Sequence, residues 1–330
     1  MYKTFYNLQR NPFEITPDPS FLFTTKRHNE ALATLYYGVR RHKGFVVLTG
    51  AVGTGKTLLI RTLLHLLKLS NVHYSYVFNS RLGSMEFLQY VAADFGLPTT
   101  GKNKSDLLLD LGRLVISRFK KGLTTVLVID EAHHLSEDVL EEVRLLTNLE
   151  TTQEKLLQIL LVGQPELDEK LDSLNLLQLK QRIALRSHLQ ALELEETEGY
   201  IRRRMEIAGH ADPDALFPFG TVLEIQRQSR GIPRLINTLC ENALISGYAR
   251  QASVITAQMI EEIALEFRLN LVHTPPAPIQ AGDTESSKDV ERAARTMLDL
   301  YATLRRMQSS GEELRGVVGK VGGRQDEPYI

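Results

Sequence analysis

The pattern of hydrophobic and polar positions changes character near residue 196. Before that point, short apolar runs typical of buried strands alternate with segments in which apolar residues recur every three or four positions, as in helices. The predicted strands cover 44–49, 72–78, 124–129 and 156–162, and the predicted helices between and after them cover 57–67, 84–95, 105–121 and 137–149. Such alternation predicts an α/β fold, with a parallel sheet sandwiched by helices.

Only helical periods follow residue 196. They cover 197–208, 219–229, 233–251 and 256–269, and they predict an all-helical second part. Ahead of the first strand, residues 11–19 contain three prolines and cannot form a continuous helix, whereas 28–41 has a helical pattern. We therefore expect an α/β domain over 1–195 that includes an N-terminal lead-in, and a helical domain over 196–272.

The last part of the chain has a different composition. Prolines at 275, 276 and 278 and a polar stretch at 279–287 predict an extended linker, and 311–330 has the composition of a disordered tail. Between them, 288–308 is predicted to be an amphipathic helix within a third region, 273–330. Its apolar residues recur at spacings of four and three and form a seam for another helix: Val290, Ala294, Met297, Tyr301 and Leu304. Packing on the chain's own domain or self-pairing is the commoner use of such a stripe, and docking on a protein partner is the alternative.

Composition narrows the class of protein. The chain has 330 residues, 43% of them hydrophobic, which is enough for one large core or two modest ones. A net charge of −1 means that any nucleic-acid contact must come from a local patch. The single Cys240 excludes an internal disulfide framework and fits a reducing compartment. Because no apolar run approaches about 18 residues and the N-terminus lacks a signal-peptide core, we expect a cytoplasmic protein without a membrane segment.

Residues 50–57 fill the phosphate-loop pattern. Its glycines let successive N–H groups point at phosphate, Lys56 reaches the β- and γ-phosphate oxygens, and Thr57 ligates Mg²⁺. The loop lies between a predicted strand and a predicted helix, the context that this motif requires. The sequence therefore predicts ATP and Mg²⁺ as cofactors. The candidate ATP-binding residues are Gly50, Ala51, Val52, Gly53, Thr54, Gly55, Lys56, Thr57 and Leu58.

Asp130 and Glu131 directly follow the apolar strand 126–129. They are expected at the carboxyl edge of the sheet, beside the phosphate loop. In a phosphate-loop ATPase the aspartate holds Mg²⁺ and the adjacent glutamate orients the attacking water. We therefore predict Asp130 as a magnesium residue together with Thr57, and Glu131 as the catalytic carboxylate.

Three further groups of polar residues are candidates for the site. Gln164 follows the fourth predicted strand and either contacts the γ-phosphate or the attacking water, or forms a strand-end turn. Arg182 and Arg186 lie between the two predicted domains, and either one acts as an arginine finger in a neighbouring subunit or lies on a solvated surface. In Gly231-Ile232-Pro233-Arg234, proline suits a helix start and Arg234 is placed to point toward bound phosphate.

These elements, in this order, resemble the AAA+ superfamily of phosphate-loop ATPases. More narrowly, Phe-Tyr-Asn-Leu at 5–8, Asn-Pro-Phe at 11–13, Thr-Pro-Asp-Pro at 16–19, His-Asn-Glu-Ala-Leu at 28–32 and Leu-Val-Gly-Gln-Pro-Glu-Leu at 161–167 resemble the ExeA family, general secretion pathway protein A. The resemblance spans about residues 1–268, and it extends to AAA+ regulators of transposition.

The resemblance implies an oligomeric ATPase with an AAA+ fold and a helical lid. Lys56, Thr57, Asp130 and Glu131 correspond to its ATP and Mg²⁺ residues. Gln164 corresponds to sensor one, Arg234 to sensor two, and Arg182 or Arg186 to a finger that completes a neighbour's site. The chain has neither a membrane span nor an evident peptidoglycan-binding domain after this region, a departure from the secretion protein.

Two biological roles stay open. The first is an ATPase that assembles or remodels a protein machine of the secretion or envelope type. The second is a regulator of transposition or replication that binds double-stranded DNA. Its candidate phosphate contacts are three short basic clusters, at 40–43, 102–104 and 202–204. Acidic neighbours dilute the third cluster, and charge runs this short are usually solvated faces. We interpret His28, His133 and His134 as structural, and Tyr74, Tyr76 and Phe78 as one core-facing side of a strand.

Overall fold

The computed structural model describes residues 1–14, 19–21, 23–68, 71–78 and 82–269. The predicted linker at 273–287, the helix at 288–308 and the tail at 311–330 lie outside these residues and stay predictions.

Five parallel strands form one sheet. They are β1 (Phe45–Gly50), β2 (Val72–Val77), β3 (Thr124–Ile129), β4 (Leu157–Gly163) and β5 (Leu185–Leu189), in the order β2-β3-β4-β1-β5. The registers pair Val47 with Leu161 of β4 on one side and with Arg186 of β5 on the other. The predicted parallel α/β fold is confirmed. Because β4 lies between β1 and β3, the loops after these three strands meet at one edge of the sheet.

The fifth strand is an addition to the predicted set. The sequence predicts residues 185–189 only as a connection between the sheet and the helical part, but they pair with residues 46–50 of β1. In Leu-Arg-Ser-His-Leu, the exposed Arg186 and His188 alternate with less exposed residues, because β5 is an edge strand with one side toward solvent. Arg186 therefore lies on a strand of the sheet.

Helices cover both faces of the sheet, as predicted. The described helices of this part are α2 (Lys26–Arg40), α3 (Lys56–Lys68), α4 (Ser84–Asp94), α5 (Lys104–Lys120), α6 (Glu137–Leu146), α7 (Glu166–Leu171) and α8 (Leu177–Lys180). Alternate residues of β1 point to opposite faces: Val47 joins an apolar core with α4, α5 and α6, while Val46 contacts α2. The predicted helix 137–149 ends at Leu146, three residues early.

A second apolar core holds the helical part. It is built mainly from α9 (Leu194–Ile207), α11 (Phe219–Ser229), α12 (Pro233–Ala249) and α13 (Ala257–Glu266), with the short α10 (Pro213–Leu216) beside them. Tyr6, Leu8 and Phe13, which follow α1 (Tyr2–Phe5), pack in this core and not against the sheet. Cys240 is fully buried there, and burial raises the pKa of its thiol. The boundary at 195/196 stays a prediction.

Within the described residues, no helix combines the length and the apolar character needed to cross a bilayer.

Candidate nucleotide-binding site

The phosphate loop connects the end of β1 to the start of α3. Gly53 and Gly55 have φ values of +82° and +99°, a region that favours glycine, so the backbone curls around the loop interior. Lys56 is the first residue of α3, and its Nζ donates to the carbonyl oxygens of Gly50 at 2.8 Å and Ala51 at 3.0 Å. The Lys56 ammonium therefore lies against the phosphate loop, where phosphate oxygens would replace the Gly50 and Ala51 carbonyls as its partners.

The Lys56 ammonium is almost fully buried. Burial lowers its pKa, because a low-dielectric surrounding disfavours the charged form, and the carboxylates of Glu131, Asp130 and Glu166 act in the opposite direction. The buried Lys56, which can bind a negatively charged group, thus lies within electrostatic range of acidic residues that suit a cation.

Asp130 joins the loop to the neighbouring strands. It directly follows β3, and its Oδ2 accepts a hydrogen bond from the Thr57 hydroxyl at 3.2 Å. Its Oδ1 accepts from the backbone N–H of Glu131 at 2.9 Å. A carboxylate and a hydroxyl held side by side are oxygen ligands of the kind that Mg²⁺ binds with substrate phosphates. The donor chemistry of Thr57 and Asp130 therefore fits the predicted metal.

Tyr76 is a site residue that the sequence did not reveal. Its hydroxyl donates to Asp130 Oδ2 at 2.6 Å, from β2 to the end of the adjacent β3. Burial, then the neighbouring Asp130 carboxylate, raise the pKa of this phenol. The interpretation of Tyr74, Tyr76 and Phe78 as core-facing is wrong: Ser75 and Val77 are the buried residues of this edge strand, and Phe78 is 68% exposed.

Glu131 has an unusual backbone. Its φ of +52° and ψ of +36° place it in the left-handed region, which costs a residue with a side chain about 1 kcal/mol or more and which clusters at functional sites. Its Oε2 is buried without a hydrogen-bond partner, and His133 Nδ1 lies 3.4 Å from it. A buried acceptor oxygen of this kind fits a carboxylate that orients a water molecule.

His133 lies between Glu131 and Gln164, the residue that follows β4. The backbone N–H of Gln164 points at His133 Nδ1 at 3.4 Å. Burial, and then the neighbouring His134, lower the pKa of His133, which favours the neutral ring with an acceptor nitrogen toward that N–H. Gln164 thus lies at the carboxyl edge between the phosphate loop and Glu131. Its role, phosphate sensing or strand-end turn, stays a prediction.

The helical part contacts the phosphate loop through the start of α12. The backbone N–H of Arg234 donates to Gly53 O at 3.3 Å, and a Cβ atom on Gly53 would lie 2.7 Å from the Cβ of Arg234. The Arg234 side chain is exposed beside the loop. The structure therefore brings the backbone of Arg234 to the loop, and the contact of its side chain with phosphate stays a prediction.

His28 fixes the other side of the loop. Thr25 begins α2 as its N-cap, and its hydroxyl lies 2.8 Å from His28 Nδ1. The opposite ring nitrogen, Nε2, lies 3.3 Å from Thr54 O, which can only accept a hydrogen bond, so the neutral ring carries its proton on Nε2. These contacts agree with a structural role for His28. The part of the molecule that His28 supports is the phosphate loop.

The comparisons with known proteins agree with this geometry. A family model described as AAA domain matches residues 39–171. Over 267 residues, or 81% of the chain, the sequence is 42% identical to general secretion pathway protein A of Aeromonas hydrophila. The chain is an ExeA-like AAA+ protein. It spans about half, 48%, of the length of that relative.

Solved structures support the fold of this ExeA-like protein. The ORC2 protein of Aeropyrum pernix, with ADPNP and ADP, superposes with a TM-score of 0.58 at 18% identity, covering 80% of this chain and 75% of that one. The ORC1 protein of the same organism, in complex with DNA, gives 0.57 at 18% identity, with 78% and 69% covered. At such identities the likeness concerns the fold alone.

The two candidate finger arginines of the ExeA-like chain lie away from its own loop. The N–H of Ala184 donates to Phe45 O at the start of β1, so Arg182 precedes the opposite edge of the sheet. At about 3.3 Å per strand residue, it lies on the order of 15 Å from the phosphate loop. Arg186 lies on β5 and pairs with Asp168 at 3.1 Å. Neither arginine joins the loop of its own chain.

Two of the three basic clusters are neutralised internally. Arg202 pairs with Glu198 and Asp214, each at 2.9 Å, and Arg203 pairs with Glu206 at 3.0 Å. Arg204 is buried. In the second cluster, Lys102 pairs with Asp110 and Lys104 with Glu142.

The cluster at 40–43 differs from the other two. Arg40, Arg41 and Lys43 are exposed and have no carboxylate partner among the described residues, and His42 pairs with Glu154 at 3.0 Å.

The described residues contain no group of three acidic, histidine or cysteine side chains arranged to hold a metal.

Proposed function

We propose that this chain binds ATP with Mg²⁺ at the phosphate loop and hydrolyses it to ADP and phosphate as part of an oligomer. The observation that carries the proposal is the meeting of Thr57 and Asp130, whose side-chain oxygens come from separate elements and lie 3.2 Å apart beside the buried Lys56. These two residues are 73 positions apart in sequence, and their contact beside the phosphate loop supports a common site for the ion and the phosphates.

The binding residues have distinct tasks. The N–H groups of residues 51–57 surround the phosphates, and Lys56 exchanges its bonds with the Gly50 and Ala51 carbonyls for β- and γ-phosphate oxygens. Thr57 and Asp130 hold Mg²⁺, which when bound neutralises charge on the phosphates. Tyr76 orients Asp130 through its hydrogen bond to Oδ2.

Glu131 orients the attacking water. Its unpartnered Oε2 accepts a hydrogen bond from that water and directs the oxygen toward the γ-phosphorus. The water oxygen forms a bond to phosphorus while the bond to the β-γ bridging oxygen of ATP breaks, and the Glu131 carboxylate takes up the proton that the water loses, which gives ADP and inorganic phosphate. The neutral His133 beside Glu131 leaves this carboxylate free to act as an acceptor. Gln164, at the same edge, contacts the γ-phosphate or the water.

Completion of the site requires a second copy of the chain. Because Arg182 lies before the opposite edge of the sheet, it cannot stabilise charge in its own site but can do so in a neighbour's. Arg186 is the alternative finger and would first have to leave Asp168. Arg234, exposed on the helix that contacts Gly53, contacts the nucleotide from the lid side and couples its state to the helical part.

Nucleotide binding by the full chain tests the first half of this proposal. We expect Lys56→Ala to lose ATP binding by at least about 100-fold, because the ammonium supplies charge-assisted bonds to two phosphates in a buried site. Lys68→Ala, which removes an exposed lysine from the other end of the same helix, is the matched control. Tight ATP binding by Lys56→Ala would contradict the assignment of the loop.

The proposed load is a protein machine of the secretion or envelope type, with the ATPase on the cytoplasmic side. Support comes from the 42% identity to general secretion pathway protein A and from a single, buried cysteine, which fits a reducing compartment. The predicted helix at 288–308 is the proposed contact with a protein partner, although packing on its own domain is the commoner use of such a helix.

Regulation of transposition or replication on double-stranded DNA is the second candidate. The exposed Arg40, Arg41 and Lys43 favour it, since they lack carboxylate partners among the described residues. Phosphate contacts predict DNA affinity that falls steeply between about 50 and 200 mM salt. Binding that falls in this way, and that weakens further in Arg40→Gln/Arg41→Gln but not in Arg202→Gln/Arg203→Gln, would favour DNA over a protein load.

A further inference from the structure

The turn formed by residues 131–135 begins with Glu131, and a lysine holds its other end. The middle of this turn is one turn of 3₁₀ helix. The Nζ atom of Lys170, on α7, donates to the backbone carbonyl oxygen of His133 at 2.6 Å and to that of Leu135 at 2.7 Å. The proposed hydrolysis uses Glu131 but assigns no task to Lys170.

The two carbonyl oxygens that Lys170 contacts lie toward the end of the 131–135 turn. The last carbonyls of a helical turn have no N–H partner within it, and their partial negative charge favours a cation. An ammonium group brings three donors, and its charge-assisted hydrogen bonds are stronger than those between neutral groups. Lys170 thus ties the turn, which follows β3, to α7, which follows β4.

The end of β4 holds another side of the 131–135 turn. A Cβ atom on Gly163 would lie 3.3 Å from the backbone nitrogen of His133 and 2.8 Å from Leu167 Cδ2. The backbone of β4 therefore packs closely against both the turn and α7. The next residue, Gln164, points its N–H at His133 Nδ1 at 3.4 Å. Because the turn lies between these contacts and Lys170, a shift of the turn breaks some of them.

The backbone conformation of Glu131 depends on such support. Its φ of +52° is in the left-handed region, which a residue with a side chain keeps where the surrounding structure over-determines it. Both carbonyls that Lys170 contacts lie within the same short turn as Glu131. Without the ammonium group, the turn is free to take a commoner conformation, and the Glu131 carboxylate then leaves its position beside His133.

We propose that Lys170 is a positioning residue for Glu131. It holds the 131–135 turn so that the Glu131 carboxylate faces the attacking water. Lys170 acts through the main chain, because both of these hydrogen bonds go to backbone carbonyl oxygens. Since α7 follows Gln164 in the chain, it also connects the turn to that candidate residue. The inference rests on the proposed ATP hydrolysis and adds a residue on which its rate depends.

Steady-state phosphate release by Lys170→Met tests the proposal. Methionine keeps the apolar part of the side chain and removes the ammonium group. We expect kcat to fall at least about tenfold, because a misplaced catalytic group costs rate. KM and affinity for ATP should stay unchanged, because the phosphate loop is intact. Lys170→Arg keeps a charged donor and should recover kcat to within about threefold of the wild type. An unchanged kcat in Lys170→Met would overturn the proposal.

A second lysine provides the matched control. Lys155 also donates to a backbone carbonyl oxygen, that of Thr147 at 3.3 Å, and it pairs with Glu150. It precedes β4 and therefore lies at the opposite edge of the sheet from Glu131. Lys155→Met removes similar contacts and should keep the wild-type kcat. A loss of kcat in Lys155→Met equal to that in Lys170→Met would contradict a specific role for Lys170.

The double variant shows whether Lys170 acts through Glu131. In the Glu131→Gln background, Lys170→Met should lower turnover no further, because its effect passes through the Glu131 carboxylate. A further loss of about tenfold would contradict the inference. The same assays separate it from the proposed function. Normal kcat in Lys170→Met, beside an active wild type and an impaired Glu131→Gln, overturns the role of Lys170 alone. Equal turnover in the wild type and Glu131→Gln overturns both.

Hydrogen exchange in the nucleotide-free protein gives a readout that does not need turnover. The N–H groups of His134 and Leu135 donate within the turn, to Glu131 O at 3.0 Å and Ala132 O at 3.1 Å. In Lys170→Met we expect these amides to exchange at least about tenfold faster, because the turn opens more often. The amides of α3 should keep their wild-type rates. Unchanged exchange in the turn would contradict the claim that Lys170 holds it.

Discussion

Asp130 connects three elements, because its carboxylate at the end of β3 contacts Tyr76 on β2 and Thr57 on α3. Both of its oxygens accept hydrogen bonds, from Thr57 and Tyr76 on one side and from the Glu131 N–H on the other. A buried carboxylate with this many donors has a fixed direction. Fixed ligands lower the cost of positioning a metal ion and its phosphates, because less reorganisation is needed when they bind.

Replacement of Tyr76 tests this arrangement. Tyr76→Phe removes one hydrogen bond to a charged group, so we expect the Mg²⁺ concentration for half-maximal ATP turnover to rise about tenfold. ATP binding without Mg²⁺ should stay unchanged. Tyr74→Phe, on the same side of β2, is the control. An unchanged Mg²⁺ requirement in Tyr76→Phe would mean that the tyrosine has no part in holding Asp130.

The pKa of His28 predicts a pH dependence of stability. Burial lowers this pKa from its ordinary 6.5, against smaller opposite effects of the Thr54 carbonyl and Glu196. The unfolded chain therefore binds the proton more tightly, and the free energy of unfolding is highest above pH 6.5 and decreases as the pH falls below it.

Denaturant unfolding between pH 7.5 and 5 measures this dependence. His28→Gln should reduce the slope below pH 6.5 by at most about 1.4 kcal/mol per pH unit. His133, His188 and His210 contribute to the remaining slope of the unfolding free energy against pH, because burial also lowers their pKa values. His65→Gln, an exposed position on α3, should keep the wild-type slope. Equal slopes in His28→Gln and the wild type would contradict the prediction.

At the level of elements, the start of α12 depends on one glycine. Gly231 has a φ of +72°, and a Cβ atom there would lie 1.9 Å from Leu192 O. The same residue accepts a hydrogen bond from the Leu192 N–H at 2.8 Å through its carbonyl. This close backbone approach fixes where α12 begins, and therefore where Arg234 meets the phosphate loop.

Gly231→Ala should destabilise the chain by about 3 kcal/mol or more, because both the backbone conformation and the space are unsuitable for a side chain. Gly220→Ala is the matched control, since nothing lies within 4 Å of its added Cβ in α11. We expect that variant to be neutral or slightly more stable, by up to about 0.5 kcal/mol. Equilibrium urea unfolding of both variants makes the comparison, and equal stabilities would contradict it.

The first four strands and the longer helices could be predicted from the sequence because their periodicity and apolar runs are strong. β5 could not, since Leu185, Ser187 and Leu189 give an edge strand only a weak apolar pattern. Tyr76 could not either: alternating aromatics are typical of a core face, and only the pairing of β2 with β3 places its hydroxyl on Asp130. The phosphate loop, Asp130 and Glu131 were found because their chemistry requires fixed residue types after a strand.

At the scale of the whole molecule, the proposed finger role of Arg182 makes oligomerisation part of the proposed chemistry. Arg182→Ala should keep ATP binding and lose at least about 1000-fold in turnover if this residue is the finger. Arg186→Ala is the comparison, because Arg186 already pairs with Asp168. An equal loss of turnover in Arg186→Ala, with normal turnover in Arg182→Ala, would make Arg186 the finger instead.

Mixing two inactive variants tests action between subunits. Arg182→Ala supplies intact Glu131 sites, and Glu131→Gln supplies intact fingers. In a random equimolar mixture of a ring, about a quarter of the interfaces combine an intact site with an intact finger. We expect turnover to recover to about that fraction, as measured by phosphate release. No recovery, with mixed assemblies verified by light scattering, would contradict a finger in trans.

ATP hydrolysis at the carboxyl edge of the sheet is the central claim, and the comparison of wild type with Glu131→Gln tests it most directly. ATP affinity and steady-state phosphate release should be measured on the same protein in Mg²⁺. We expect the wild type to release phosphate, and Glu131→Gln to keep the ATP affinity but lose turnover by at least about 100-fold, because the neutral amide is too weak a base to take a proton from the attacking water. Wild-type turnover in Glu131→Gln would contradict the claim.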